Sequence, residues 1–183
     1  MSDPTTPSRP SIPDDDPSRS LAVARPDIDE SLPHIGVVGD TYTVLLSGSD
    51  TNGRFALIDM HIPSGGGPAP HRHDFEETFS ILAGEIEITF REQTMTGSAG
   101  DTVNVPANAT HAFHNASDQP ARMLCLASPA GVEEFFAAIG TPVARRTEAP
   151  PKLDQAGQAA FIAKAREVGP RYHTQLLPPP NYA

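Results

Sequence analysis

The chain has 183 residues, enough for one compact domain, with 20 prolines, 6% aromatic residues and no tryptophan. Its formal charge of −10 argues against nucleic acid or anionic membrane as a partner, because both call for a cationic surface. Cys125 is the single cysteine, which excludes an intrachain disulfide, and no window reads as a signal-peptide core or a membrane span, so a cytoplasmic protein is expected.

Residues 1–33 are dominated by Pro, Ser and Asp, including Asp14-Asp15-Asp16. Too few apolar side chains are present to offset the entropy of ordering them, so a disordered tail is expected, or one loosely docked through Leu21 to Val23. From Asp40 the pattern takes a period of two. Thr41 to Leu46 and Arg54 to Ile62 read as a strand pair, joined by the turn formers Ser47 to Gly53. Gly65-Gly66-Gly67-Pro68-Ala69-Pro70 then interrupts regular structure. Glu76 to Leu82 is the next predicted strand. It turns at Ala83-Gly84 into Glu85 to Arg91, where Ile86, Ile88 and Phe90 alternate with polar residues. Thr102 to Val105, Thr110 to Asn115 and Arg122 to Ala127 add three short strands. Many short strands with frequent turns predict an all-β sandwich or barrel over residues 34–130.

Residues 131–183 differ. Val132, Phe135, Phe136 and Ile139 fall at i, i+3, i+4, i+7, the mark of a one-sided helix. A second helix is predicted from the N-cap Asp154 to Val168, ended by Gly169-Pro170, ahead of an extended Pro178-Pro179-Pro180 end. Both helices are expected to cover the barrel or a dimer seam rather than to build a site.

Two spaced motifs carry the chemistry. Gly65-x5-His71-x-His73-x3-Glu77-x6-Gly84 and Gly100-x5-Pro106-x-Asn108-x2-His111-x3-Asn115 offer three imidazoles and one carboxylate to a single divalent metal. Residues two apart on a strand point the same way, so His71 and His73 share a face. If that strand runs unbroken, Phe75, Glu77, Phe79 and Ile81 join them and Glu76 points away. His111 lies on a later strand and approaches only if the sheet closes over. Neutral imidazole suits Zn, Cu, Ni, Co and Fe, and a carboxylate alongside admits Mn.

These motifs resemble the two signatures of the cupin family, with Asn108 standing where glycine is usual. Asn tolerates positive φ, so the turn is retained. The resemblance implies an antiparallel jelly-roll β-barrel holding one divalent ion (Fe, Mn, Ni, Co or Zn) on His71, His73, Glu77 and His111. The flanking Tyr42 to Gly48, Gly53 to Leu57, Gly65 to Pro70 and Gly140-Thr141-Pro142 are similar to single-domain cupins of the quercetin 2,3-dioxygenase-like group. That similarity implies a dioxygenase acting on a small, flat, hydroxylated aromatic or enol substrate. In it Glu77 takes the substrate proton, which calls for a carboxyl pKa lifted by apolar walls. The alternatives are another metal-dependent cupin enzyme (a decarboxylase, isomerase or lyase) and a non-catalytic binder of small ligands. Such barrels commonly pair, so a homodimer is expected.

The remaining candidates are weaker. His61 is expected on the surface face opposite Ile58, Met60 and Ile62. His114 is off the parity of His111 and is read as a non-ligand, and His34 and His173 lie in the tails. Tyr42, Phe79, Phe113 and Met123 are expected mostly in the core, with one or two at an apolar mouth. Cys125 reads as a buried small hydrophobe. No helix start or lysine follows Gly65 to Gly67, which weakens a phosphate-loop reading.

Overall fold

Alternation of apolar and polar residues builds two antiparallel sheets, and a pair of helices leans on one edge of them. The computed structural model describes residues 12–178. In chain order the elements are β1 (His34–Val37), β2 (Asp40–Leu46), a single helical turn α1 (Gly48–Thr51), β3 (Ala56–Ile62), β4 (His71–His73), β5 (Glu76–Ala83), β6 (Glu85–Phe90) and β7 (Gln93–Ser98). There follow β8 (Thr102–Val105), β9 (His111–His114), β10 (Ala121–Ser128), α2 (Val132–Ile139), β11 (Thr141–Pro142), α3 (Gln155–Val168) and β12 (Thr174–Leu176).

Seven strands form one sheet in the order β11-β1-β2-β3-β10-β5-β8, and five form the other in the order β12-β4-β9-β6-β7. The predicted barrel therefore needs correction. The hydrogen-bond ladder does not close among the described residues; two open sheets face each other, consistent with a jelly roll. Their inner faces meet through Ile58, Met60, Phe79 and Ile81 from one sheet and Ile86, Ile88 and Phe113 from the other, all buried. Phe79 and Phe113 bridge the sheets edge to face, with ring centroids 5.5 Å apart.

The second correction concerns the histidine strand. It does not run unbroken into Glu77, because the chain passes from one sheet to the other at Asp74-Phe75, between β4 and β5. The parity survives the switch. His73, Phe75, Glu77, Phe79 and Ile81 are buried, whereas Asp74 and Glu76 are exposed.

The predicted strands and helices are present, along with four short strands that lack a clear alternation: β1, β7, β11 and β12. Asp154 caps α3 by accepting from the Gly157 N–H at 2.8 Å. His34, assigned to a tail from sequence, is buried in β1, with Nδ1 2.7 Å from Thr43 Oγ1. His173 is exposed, beside Asp74 at 3.0 Å. Residues 12–33 hold no helix or strand, and Leu21 is exposed. This segment is tied down instead by Arg19 Nη2 donating to the Asp50 carbonyl at 2.9 Å and by an Asp27–Arg146 ion pair at 2.8 Å. Pro179 and Pro180 lie outside the described residues.

Candidate metal centre

The four predicted side chains come together. His71 and His73 come from β4, Glu77 from the start of β5 and His111 from the start of β9, where His71 and His111 are direct ladder partners. One ligand atom from each of the four lies within 4.8 Å of the others. Glu76 goes elsewhere: its carboxylate accepts from Asn104 Nδ2 at 2.8 Å and from the Ala107 N–H at 3.1 Å. His114 is outside the cluster, with Nδ1 3.2 Å from the Gly66 carbonyl. His61 is half-buried on the opposite face of β3 from Ile58, Met60 and Ile62, as its parity requires.

Backbone carbonyls orient all three rings. His71 Nδ1 is 3.0 Å from the Ala69 carbonyl, His73 Nδ1 is 2.9 Å from that of Phe75, and His111 Nδ1 is 3.0 Å from that of Ala109. A carbonyl only accepts, so each Nδ1 carries a proton and a neutral ring turns an Nε2 lone pair toward the centre. Glu77 Oε2 sits 3.0 Å from His73 Nε2 and 3.1 Å from His111 Nε2. Lone pairs facing a carboxylate at those distances repel unless a proton or a cation lies between them. Two buried imidazolium rings would satisfy the carboxylate at a heavy desolvation cost. A divalent ion would satisfy all four groups at once, and the donor set fits Fe, Mn, Ni, Co or Zn.

The electrostatics follow from these contacts. Burial alone would raise the Glu77 carboxyl. Where His111 and His73 carry a proton on Nε2 as well, their hydrogen bonds and charge outweigh it and hold the group well below the usual carboxylate range. The lifted pKa expected for Glu77 is not met while both of those rings donate to it. His71 is lowered to about 4, by burial and then by the neighbouring His111, so its ring is neutral at pH 7.

Three groups escaped the sequence reading. Cys125 is buried as expected, but its thiol also donates to Glu77 Oε1 at 3.2 Å. Burial and the Glu77 charge push that thiol up, which keeps it protonated. Asp40 is buried and accepts from the Tyr42 hydroxyl at 3.0 Å on Oδ2, while its Oδ1 has no hydrogen-bond partner. Burial raises its carboxyl to about 7, against the hydrogen bonds from Tyr42 and the Gly67 N–H. The glycine run packs over this carboxyl: a Cβ on Gly66 would lie 2.2 Å from Asp40 Oδ1. Only the inward alternation of Asp40, Tyr42 and Val44 hints at this in the sequence.

A cavity of about 170 Å³ reaches His71, His73 and Glu77. Tyr42 and Met60 of one sheet and Phe113 of the other line it, together with Phe135 and Phe136 of α2 and Phe161 of α3. The helices therefore build the pocket, contrary to expectation. Their apolar stripes complete a wall that the two sheets leave open. Phe79 and Met123 remain in the core, whereas Tyr42 and Phe113 face the cavity.

Residues 58–127 match the family model of the cupin domain. This stretch is a cupin domain. It holds all four clustered side chains and ends before α2. An uncharacterized protein from Methanocaldococcus jannaschii is 25% identical over 112 residues, which are 60% of this chain and 90% of that protein. Among solved structures, a predicted oxalate decarboxylase from Thermotoga maritima aligns with a TM-score of 0.52 at 20% identity, over 58% of this chain and 98% of that one. A cupin from Shewanella frigidimarina described as RmlC-like aligns with a TM-score of 0.50 at 15% identity, over 62% and 99%. Both likenesses concern the cupin fold alone. No helix among the described residues is long and apolar enough to cross a membrane.

Proposed function

We propose that this cupin protein is a metal-dependent dioxygenase of quercetinase type, acting on a small flat aromatic or enol compound that presents an ionisable oxygen. The observation that carries the reading is the joint placement of four convergent ligand atoms and an aromatic-walled cavity that opens onto three of those side chains. A divalent ion held by His71, His73, Glu77 and His111 supplies Lewis acidity toward a substrate phenolate or enolate.

The chain's own residues do the rest. The carbonyls of Ala69, Phe75 and Ala109 keep the three rings in one tautomer and one orientation. Glu77 is the proton acceptor, as a ligand or after swinging off the ion; burial, which raises its carboxyl, favours holding the proton once the carboxylate has left the ion. Tyr42, Phe113, Phe135 and Phe136 exclude water and offer flat apolar surface to a ring.

The test is oxygen uptake by the chain loaded with each candidate ion, against a panel of phenols and enols. Oxygen consumption in step with substrate loss is the expected result. Turnover that persists under strict anaerobiosis would instead identify an isomerase, lyase or decarboxylase, and binding without turnover a ligand-binding protein.

A further inference from the structure

The cavity wall has few polar groups, and most of their hydrogens are already engaged. Apart from the metal-cluster side chains, the polar residues lining it are Tyr42, Gln158 and Thr174. The Tyr42 hydroxyl donates to Asp40 Oδ2 at 3.0 Å, and the Thr174 hydroxyl to the Tyr172 carbonyl at 3.2 Å. Gln158 Nε2 donates to the Leu153 carbonyl at 3.2 Å, and this side chain belongs to the exposed rim rather than the interior. The other lining residues are apolar.

Size adds a second constraint. A cavity of about 170 Å³ is close to the volume, roughly 150 Å³, that accommodates one benzene ring in a protein interior. A second cavity of about 290 Å³ shares Val38, Leu153 and Phe161 with this one as lining, so a substituent on the far side of such a ring points toward it.

Resting on the reading of the cluster as the metal and substrate site, we infer that the ligand is a single-ring compound with one chelating oxygen head and an unhydroxylated body. The head meets His71, His73 and Glu77; the body lies against Phe113, Phe135, Phe136 and Phe161. Polyhydroxylated flavonols and sugars are disfavoured as ligands, because each hydroxyl on the body leaves water for a wall whose side-chain partners are limited to the Tyr42 and Thr174 hydroxyl oxygens and the rim residue Gln158. A hydroxyl carried into an apolar pocket weakens binding by about tenfold to a hundredfold. Phe135, Phe136 and Phe161 all lie beyond residue 127, outside the matched cupin region, so this selectivity belongs to the C-terminal helices of this chain.

Titration calorimetry of the full chain, with and without Ni(II), tests this. The probes are 1-phenylbutane-1,3-dione and its 4-hydroxyphenyl and 3,4-dihydroxyphenyl analogues. The parent should bind tightest, and each added hydroxyl should weaken binding about tenfold or more. Equal or tighter binding of the hydroxylated compounds, or no binding of the parent, overturns the inference. The Phe161→Ala variant should lose about tenfold in affinity for the parent with Ni(II) affinity unchanged; an unchanged affinity for the parent also counts against it. Ni(II) titrated alone judges the cluster separately. Normal metal uptake with a flat ligand order defeats the ligand inference only. No metal uptake with the order preserved defeats the metal reading only.

Discussion

Glu77 Oε2 lies 3.0 Å from His73 Nε2 across the point where the chain changes sheets, although the two residues are only four apart. His73 ends a strand of the five-stranded sheet and Glu77 is near the start of one in the seven-stranded sheet. The Phe75 carbonyl, in the link between them, accepts from His73 Nδ1 at 2.9 Å, and the Phe75 ring stacks on the imidazole with centroids 3.8 Å apart. The crossover thus both positions the carboxylate and sets the tautomer of the neighbouring ligand.

From that geometry, Glu77→Gln should keep part of the metal affinity, since three imidazoles remain. It should lower turnover by at least about 100-fold through loss of the proton acceptor. Metal titration and steady-state kinetics on one preparation check both halves; unaffected turnover would remove Glu77 from that role.

Metal binding should register as stability. An ion present at about 100 times its dissociation constant should add about 2.7 kcal/mol, seen as a rise in Tm that a chelator reverses. His111→Ala should abolish most of that rise, because it removes the one ligand supplied by β9. Thermal denaturation with and without the ion is the measurement.

Asp40 gives a pH prediction with a definite sign. Its carboxyl is raised from 3.8 to about 7 in the folded protein, so between those values the folded state binds more protons than the unfolded state. Its contribution to stability is full below about pH 4 and is lost as pH rises through 7. His71, lowered from 6.5 to about 4, works in the opposite direction: the unfolded state binds more protons, and stability rises with pH across that window. The metal-free wild type mixes the two slopes. The difference between wild type and Asp40→Asn isolates the first, and the variant should gain relative stability between pH 4 and 8 by a few kcal/mol in order of magnitude. Denaturant melts across that range check it.

Gly66→Ala should destabilise by about 2 kcal/mol or more, because its Cβ would fall 2.2 Å from Asp40 Oδ1 and 2.9 Å from the Pro63 carbonyl. Pairing it with Asp40→Ala should recover part of that loss, since the first obstacle is a side chain and the second is backbone. A double-mutant cycle measures the coupling.

Much of this protein was legible from residue order. Spacing and parity singled out His71, His73, Glu77 and His111 and rejected Glu76 and His114, because strand periodicity and turn chemistry are local and written along the chain. β7 was not legible, since its exposed residues Gln93 to Thr96 show no apolar alternation. Nor was β1, whose four residues are all buried and so lack a polar face to mark them. The sheet switch at Asp74-Phe75, the thiol of Cys125 against Glu77, the Asp40–Tyr42 pair under Gly66 and the helical wall of the cavity were decided only by the tertiary structure. Each depends on which residues of distant strands and helices come to face one another. That register is set by the packing of the whole core, so no short segment of sequence carries it. The sequence by itself determined which side chains could gather at a metal; the fold decided how acidic they are and what fills the space beside them.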